Sequence, residues 1–332
     1  MSKAKSVDAS KIDSLAKSRM PALGIDLGGT KIRAAAVRDN EIITESKQIP
    51  TPEGRENIIE GLIELVNMFR TDVLAGVGIA TAGIVNCDTG EIIGSTGNLP
   101  GWSGTQLKTV MESRTLLPVH VENDANAAGY AEARIPGLKS KRCVVTVTLG
   151  TGIGGGIVLH GRLFRGSNWA AGEVGHIKIA MDNKRLCTCG LFDCWEAYGA
   201  GRGLVQTAHD LLEGVTDEQT PLASRENELT THAIFAASAD GDIMAQKIVE
   251  RWHEHVSHGL VNLAHVLNPD CFVITGGLSE FVDFRLLEDM VADRCLPRVG
   301  ESIEIRQSAL GGQAGIIGAA QFVIDELLHP RK

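Results

Sequence analysis

A chain of 332 residues with 43% apolar residues, 22% charged residues, 38 glycines and a net charge of −9 reads as a soluble globular protein of two lobes, rich in tight turns. Aromatics stand at 4% with no basic stripe among them, which argues against a nucleic-acid partner, and no apolar run approaches the roughly 18 residues of a membrane span. Residues 1–20 have basic groups but no apolar core and are expected to be an N-terminal extension, not a secretory signal; three of the seven cysteines crowd into 187–194, which suits a metal in a reducing, cytoplasmic setting better than a disulfide framework.

In chain order, PALGIDLGG reads as a buried strand ending in a glycine turn, and KIRAAAV and EIITESKQI continue it as a meander. ENIIEGLIELVNMF spaces its apolar residues three and four apart, so it is an amphipathic helix. VLAGVGIA and PVHVE are strand-like, and NDANAAGYAEARI is helical with Asn123 or Asp124 placed to cap it. CVVTVTLGTGIGGGIVLHGRLF reads as two β-branched runs around a glycine turn. CWEAYGAGRGLVQTAHDLL, THAIFAASA and DIMAQKIVERWHEHVSHGLVNLAHVL are helices, followed by the strand CFVITGG, the helix FRLLEDMVADRCL, the short strand SIEIRQS and a last helix in GGQAGIIGAAQFVIDELL. LGIDLGGTKIRAAAV and VTVTLGTGIGGGIVL echo each other, and strands alternating with helices imply two α/β lobes with a cleft and a hinge near Ile135-Pro136-Gly137. The last helix is expected to return to the first lobe.

Four constellations carry chemistry. Asp26-Leu27-Gly28-Gly29-Thr30-Lys31 closes a strand; its glycines let backbone approach an anion, and a carboxylate before the turn could hold magnesium. Gly-Gly is equally common in an ordinary hairpin turn. Gly150-Thr151-Gly152-Ile153-Gly154-Gly155-Gly156 contains GxGxxG, but it leads into strand-forming residues where a dinucleotide fingerprint must open a helix, so a second phosphate-facing hairpin is expected instead. In Glu122-Asn123-Asp124, Asp124 can accept a proton from a hydroxyl and Asn123 can bind vicinal hydroxyls; both are also favoured helix caps. His176 with Cys187, Cys189 and Cys194 makes a closed Cys3His set suited to structural zinc, flanked by Glu173 and Glu196.

The stretches GIDLGGTKI, ENDANAA, TLGTGIGGGIV, GEVGHI and CTCGLFDCWEAYGAG, in this order over about residues 20 to 328, resemble the ROK family of sugar kinases and repressors. The resemblance implies an α/β, two-lobed actin-like ATPase (ribonuclease H-like) fold with an interlobe cleft. Residues 21–135 plus about 316–330 would form a small lobe, and 136–315 a large lobe with the zinc loop. It implies Asp124 as catalytic base and Asn98, Asn123, Glu173, His176 and Glu196 as sugar ligands, His176 serving the zinc as well. Gly28, Gly29, Thr30, Thr151 and Gly152 match the phosphate loops, with Asp26 and Lys31 beside them, and Gly276-Gly277 matches a turn near the nucleoside. One departure stands out: the family's CxCGxxGCxE has Asp193 in place of its second glycine.

The activity so implied is ATP- and magnesium-dependent phosphorylation of a hexose, glucose at its 6-hydroxyl first, by a homodimer or homotetramer. N-acetylmannosamine kinase is the alternative, since Ile79-Ala80-Thr81-Ala82-Gly83 and Ser95-Thr96 lean that way and glucokinases often carry a proline near position 82. An idle sugar sensor is the alternative of another class, although Asp124 and both phosphate loops are present. Fructokinase, mannokinase and a polyphosphate donor stay open. About twenty residues precede the first strand, too few for the repressors' helix-turn-helix.

Overall fold

The computed structural model describes residues 20–69, 74–94, 99–216, 219–223, 229–301 and 303–329. Residues 1–19 of the expected extension, Ser95-Thr96 and Asn98 lie outside them. The chain divides into two compact units. The first takes in the described residues up to Ala131, with Arg165–Ala170 and those from Gln313 on; the second takes in Glu132–Phe164 and Ala171–Gly312.

The first unit is built on β1 (Ala22–Leu27), β2 (Lys31–Arg38), β3 (Glu41–Ile42), β4 (Lys47–Pro50), β5 (Val77–Thr81) and β8 (Val119–Asn123), while β6 (Ile84–Asn86) and β7 (Glu91–Gly94) form a small ribbon. The main sheet runs β3-β2-β1-β5-β8, with β4 also on β2. β1 pairs antiparallel with β2 and parallel with β5, which pairs parallel with β8. Parallel neighbours need crossovers. The helix Arg55–Met68 stands between β4 and β5, and Leu107–Thr115 between β7 and β8. Every residue of β5 is buried, as a central parallel strand requires. EIITESKQI is not one strand: Thr44 Oγ1 takes the Ala36 N–H at 3.0 Å, and this side-chain bond interrupts the ladder and splits the run into β3 and β4.

The last helix, Ala314–Leu328, packs on this sheet at a distance only glycine permits. A Cβ on Gly24 of β1 would lie 2.0 Å from the Ile316 carbonyl oxygen, and one on Gly78 of β5 would lie 1.8 Å from that of Ala319. On the helix itself, a Cβ on Gly318 would lie 1.9 Å from the Ala127 carbonyl oxygen. The three clashes are with backbone, which cannot swing aside.

The second unit holds β9 (Cys143–Leu149), β10 (Ile153–Leu159), β11 (Arg162–Leu163), β12 (Cys271–Thr275) and β13 (Glu304–Gln307) in the order β11-β10-β9-β12-β13. An antiparallel hairpin, then parallel neighbours, repeats the plan of the first sheet, so the sequence echo has a structural counterpart. GxGxxG turns between two strands, β9 and β10, and opens no helix. The core gathers Trp195, Trp252, Phe272 and Ile274, all at 0% exposure. CWEAYGAGRGLVQTAHDLL forms two helices, Glu196–Gly199 and Gly201–Leu212, because at Ala200 the backbone extends and the Gly201 N–H bonds to the Gly150 carbonyl at 2.9 Å. The long helix Ile243–Leu267 starts where Asp242 Oδ1 takes the Ala245 N–H and stops at Asn268 in the left-handed region. Among the described residues no helix is long and apolar enough to cross a membrane.

Gly78→Ala tests the seating of the last helix. Its unfolding free energy is expected to fall by about 2–3 kcal/mol, read as an earlier midpoint in urea. An unchanged midpoint would mean that the helix does not sit on β5 in this way.

Candidate active site and metal centre

In the first unit, parallel register brings the ends of three strands to one edge, since Leu27 lies opposite Thr81 and Thr81 opposite Asn123. The turn after β1 and the turn after β8 therefore leave the sheet at the same edge, with the end of β5 between them, and this is the carboxyl edge where open α/β sheets bind ligands. In the first turn Gly28 N–H bonds to the Lys31 carbonyl at 3.1 Å. Thr51 pins it by donating its hydroxyl to the Gly28 carbonyl at 2.6 Å and its N–H to that of Thr30 at 3.0 Å. Gly29, Thr30 and Lys31 are exposed at the tip. Asp26 Oδ2 accepts from Arg33 at 2.5 Å, its partner in register across the hairpin.

In the second turn Asn123 is the cap. Its Oδ1 takes the Asn126 N–H at 3.0 Å, and its Nδ2 donates to the Gly83 carbonyl at 3.0 Å. Asp124 opens the helix Asp124–Glu132 and is half-buried, with Oδ1 on the Ala125 N–H at 2.8 Å. The N–H groups at a helix start attract negative charge.

Behind this turn lies a buried charge network. Glu122 Oε2 accepts from Arg165 Nε and Nη2, each at 2.7 Å, and Oε1 accepts from Asn126 Nδ2 at 3.1 Å. His120 Nε2 stands 3.9 Å from Glu122 Oε2, while Nδ1 lies 2.8 Å from Glu326, which Lys108 meets at 3.3 Å. Burial opposes charge on His120, but the nearby carboxylates of Glu122 and Glu326 outweigh it and raise its pKa. Burial likewise pushes Glu122 up, and His120 and Arg165 more than reverse this. The His120 hydrogen bond lowers Glu326. None of these supporting residues was assigned a role from sequence. The available signal was a histidine and a glutamate at alternate positions of an otherwise apolar strand, hence on one face.

In the second unit the same register logic places Thr148 opposite Thr275, so the turn after β9 and Gly276-Gly277 share an edge. Gly276 has φ +93°, and a Cβ there would lie 2.3 Å from the Leu149 carbonyl oxygen. In the hairpin, Gly150 N–H bonds to the Gly152 carbonyl at 3.0 Å, with Thr151 exposed.

His176, Cys187, Cys189 and Cys194 present one ligand atom each, all within 4.8 Å of one another. The Cys189 and Cys194 sulfurs are 3.7 Å apart, and Cys187 Sγ is 3.8 Å from His176 Nδ1. Zinc–sulfur bonds of about 2.3 Å in a tetrahedron give sulfur pairs about 3.8 Å apart, so the set fits a closed zinc site. No disulfide links the described cysteines. His176 Nε2 points the other way, 3.7 Å from Glu173. Partial burial raises the Glu173 pKa, against the pull of His176 and with the like charge of Glu196. Glu196 is held at both oxygens: Thr188 donates to Oε1 at 2.6 Å, and the Ile153 N–H donates to Oε2 at 3.0 Å.

A family model described as ROK family matches residues 22–326. The chain is 33% identical over 316 residues to a glucokinase of Halalkalibacterium halodurans, covering 91% of this chain and 94% of that protein. It is also 33% identical over 315 residues to an N-acetylmannosamine kinase of Haemophilus influenzae, covering 93% and 97%. A crystal structure of a ROK family glucokinase from Streptomyces griseus, in complex with glucose and AMPPNP, superposes with TM-score 0.75 at 31% identity, covering 91% of this chain and 98% of that one.

This chain belongs to the ROK family.

Its fold is the α/β, two-lobed actin-like ATPase fold of ROK kinases. Within that fold Asp193 takes a conformation of φ +58°, which accounts for glycine at the matching place of the ROK cysteine motif.

Two outcomes are expected of these sites. Glu122→Gln leaves Arg165 and His120 without their buried anion and should cost about 3–5 kcal/mol of stability, measured by denaturant unfolding. The network also gives the first unit a pH window. A raised His120 pKa stabilises fully below its ordinary 6.5 and is lost as pH climbs through the folded value. The lowered carboxylates stabilise above their ordinary 4.5 and are lost as pH falls through theirs. The melting temperature should therefore peak between those two values, and His120→Gln should flatten the alkaline side; an alkaline limb unchanged in that variant would remove His120 as its source.

Proposed function

We propose that this ROK protein transfers the terminal phosphoryl group of ATP to a hexose hydroxyl, glucose at its 6-hydroxyl first, with Asp124 as the base. The observation that carries the reading is the shared edge of the first sheet, where the Gly28–Lys31 turn and the Asn123-Asp124 turn emerge together. An anion-binding turn on the same sheet edge as a half-buried carboxylate at a helix start is what in-line transfer to an alcohol needs. The relatives named glucokinase and the Streptomyces griseus complex support the same reading.

Gly28, Gly29, Thr30, Lys31, Thr151 and Gly152 would offer backbone N–H groups, hydroxyls and a cation to the phosphates, with Gly276-Gly277 at the nucleoside. Phosphoryl transfer asks the protein mainly for alignment and charge neutralisation. Asn123 is rigidly held by its cap and by Gly83, so it presents its amide to a sugar hydroxyl in a fixed direction. Glu173, His176 and Glu196, with Asn98, would supply the remaining sugar contacts. Asp124 would take the proton as the hydroxyl attacks. Asp26, paired with Arg33 through Oδ2, would hold hydrated magnesium, which would supply charge neutralisation at the phosphates. The Cys3His set would hold one structural zinc. A cytoplasmic homodimer or homotetramer, with polyphosphate as a further donor to test, completes the proposal.

N-acetylmannosamine is the second substrate to test, because the Haemophilus influenzae relative matches at the same identity as the glucokinase and Ala82 occupies the position where glucokinases often carry proline.

The test is ADP release with MgATP against glucose, mannose, fructose, N-acetylglucosamine and N-acetylmannosamine. One dominant sugar is expected. Silence with all five in folded protein would favour a sensor. Asp124→Ala should lower kcat by about 10²–10⁴-fold while glucose still binds by calorimetry; wild-type turnover would rule out the base. The protein as purified should carry one zinc per chain by elemental analysis, and Cys189→Ser should lose it; wild-type protein without zinc would overturn the metal reading.

A further inference from the structure

Asp193 is 2% exposed, yet its carboxylate is fully engaged. Oδ2 accepts the Asn183 N–H at 2.7 Å, and Oδ1 accepts those of Lys184 and Arg185, each at 3.1 Å, with the Tyr198 hydroxyl at 2.7 Å. Its backbone is bonded on both sides, its N–H to the Arg185 carbonyl at 2.8 Å and its carbonyl to the Ile179 N–H at 3.1 Å. Three successive N–H groups turned onto one carboxylate form an anion nest, here filled by the chain's own side chain.

The nest is anchored in turn. The Arg185 guanidinium lies 4.5 Å over the Tyr198 ring and donates to Thr207 at 3.1 Å, to the Gly203 carbonyl at 3.2 Å and to Asp210 at 2.9 Å. The loop 183–185 is thereby tied to the helices Glu196–Gly199 and Gly201–Leu212. Cys187 follows the nest by two residues and Cys194 follows Asp193 directly.

We propose that Asp193 is a positioning residue for the metal-binding loop: its carboxylate gathers the Asn183–Arg185 N–H groups and the Tyr198 hydroxyl, and so holds Cys187 and Cys194 at ligand spacing before a metal arrives. A glycine at this place would keep the left-handed backbone but supply no anion. The loop would then depend on the metal for its shape. Through Cys194 and Thr188 the same order reaches Glu196, so the effect on catalysis is on sugar affinity rather than on the chemical step. The inference rests on the metal reading above and extends it to the loop without metal.

The φ of +58° makes the test clean, because Asp193→Gly deletes the carboxylate without straining the backbone. In the full chain stripped of metal, hydrogen exchange of the 183–185 amides should quicken by about tenfold or more, the scale of losing a charged acceptor, with β9 and β12 unchanged. Zinc transfer from loaded protein to a chromogenic chelator should quicken by a similar factor, and KM for the sugar should rise with kcat held. Asp193→Asn, which tolerates the same backbone and keeps one acceptor oxygen, should fall between, and it carries the comparison if the glycine variant does not accumulate. Wild-type exchange at 183–185 in the variant would overturn the proposal. Should wild-type protein bind no zinc, the metal reading fails while the exchange measurement still decides the role of Asp193.

Discussion

Parallel pairing of β1, β5 and β8 is the constraint on which the first unit's chemistry depends. Parallel strands all finish at one edge, so whatever follows them must emerge there, however far apart it lies in sequence. That rule puts Asp26 to Lys31 on the same edge as Asn123 and Asp124, with only β5 between them, although the two lie nearly a hundred residues apart in sequence. β9 and β12 do the same for Thr151, Gly152 and the Gly276-Gly277 turn. The helix Ala314–Leu328 consolidates the first arrangement, resting on Gly24 and Gly78 so closely that sheet and helix act as one layer.

Most of this was readable in advance because the signals are local. Strand, glycine turn and return strand are fixed by neighbours a few residues apart, and three cysteines in eight positions with one upstream histidine specify a tetrahedral set by number alone. What escaped was non-local. EIITESKQI breaks in two because Thr44 reaches Ala36, and the helix after Cys194 breaks at Ala200 because Gly201 bonds to Gly150. Sequence spacing carries neither contact.

Supporting residues were the least legible. His120 and Glu122 alternate with valines in a strand, an oddity visible in the sequence, but their partners Arg165 and Glu326, and the Lys108 that meets Glu326, come from three other segments. A buried carboxylate must find such partners or give up its charge. The need can be inferred from the strand; the identity of the partners cannot. Asp193 is similar: a departure from the family pattern whose meaning appears only when Asn183, Lys184, Arg185 and Tyr198 are found around it.

The two oxygens of Glu196 serve different masters. One takes the hydroxyl of Thr188, inside the cysteine loop; the other takes the N–H of Ile153, at the root of the glycine hairpin. The cysteine loop and the glycine hairpin therefore share one carboxylate, and a change in its bonding at either end is felt at the other. Linkage then runs both ways with equal strength: to whatever degree a ligand on the loop alters the hairpin, a ligand on the hairpin alters the loop. A single side chain thus suffices to couple the two segments, whichever is engaged first.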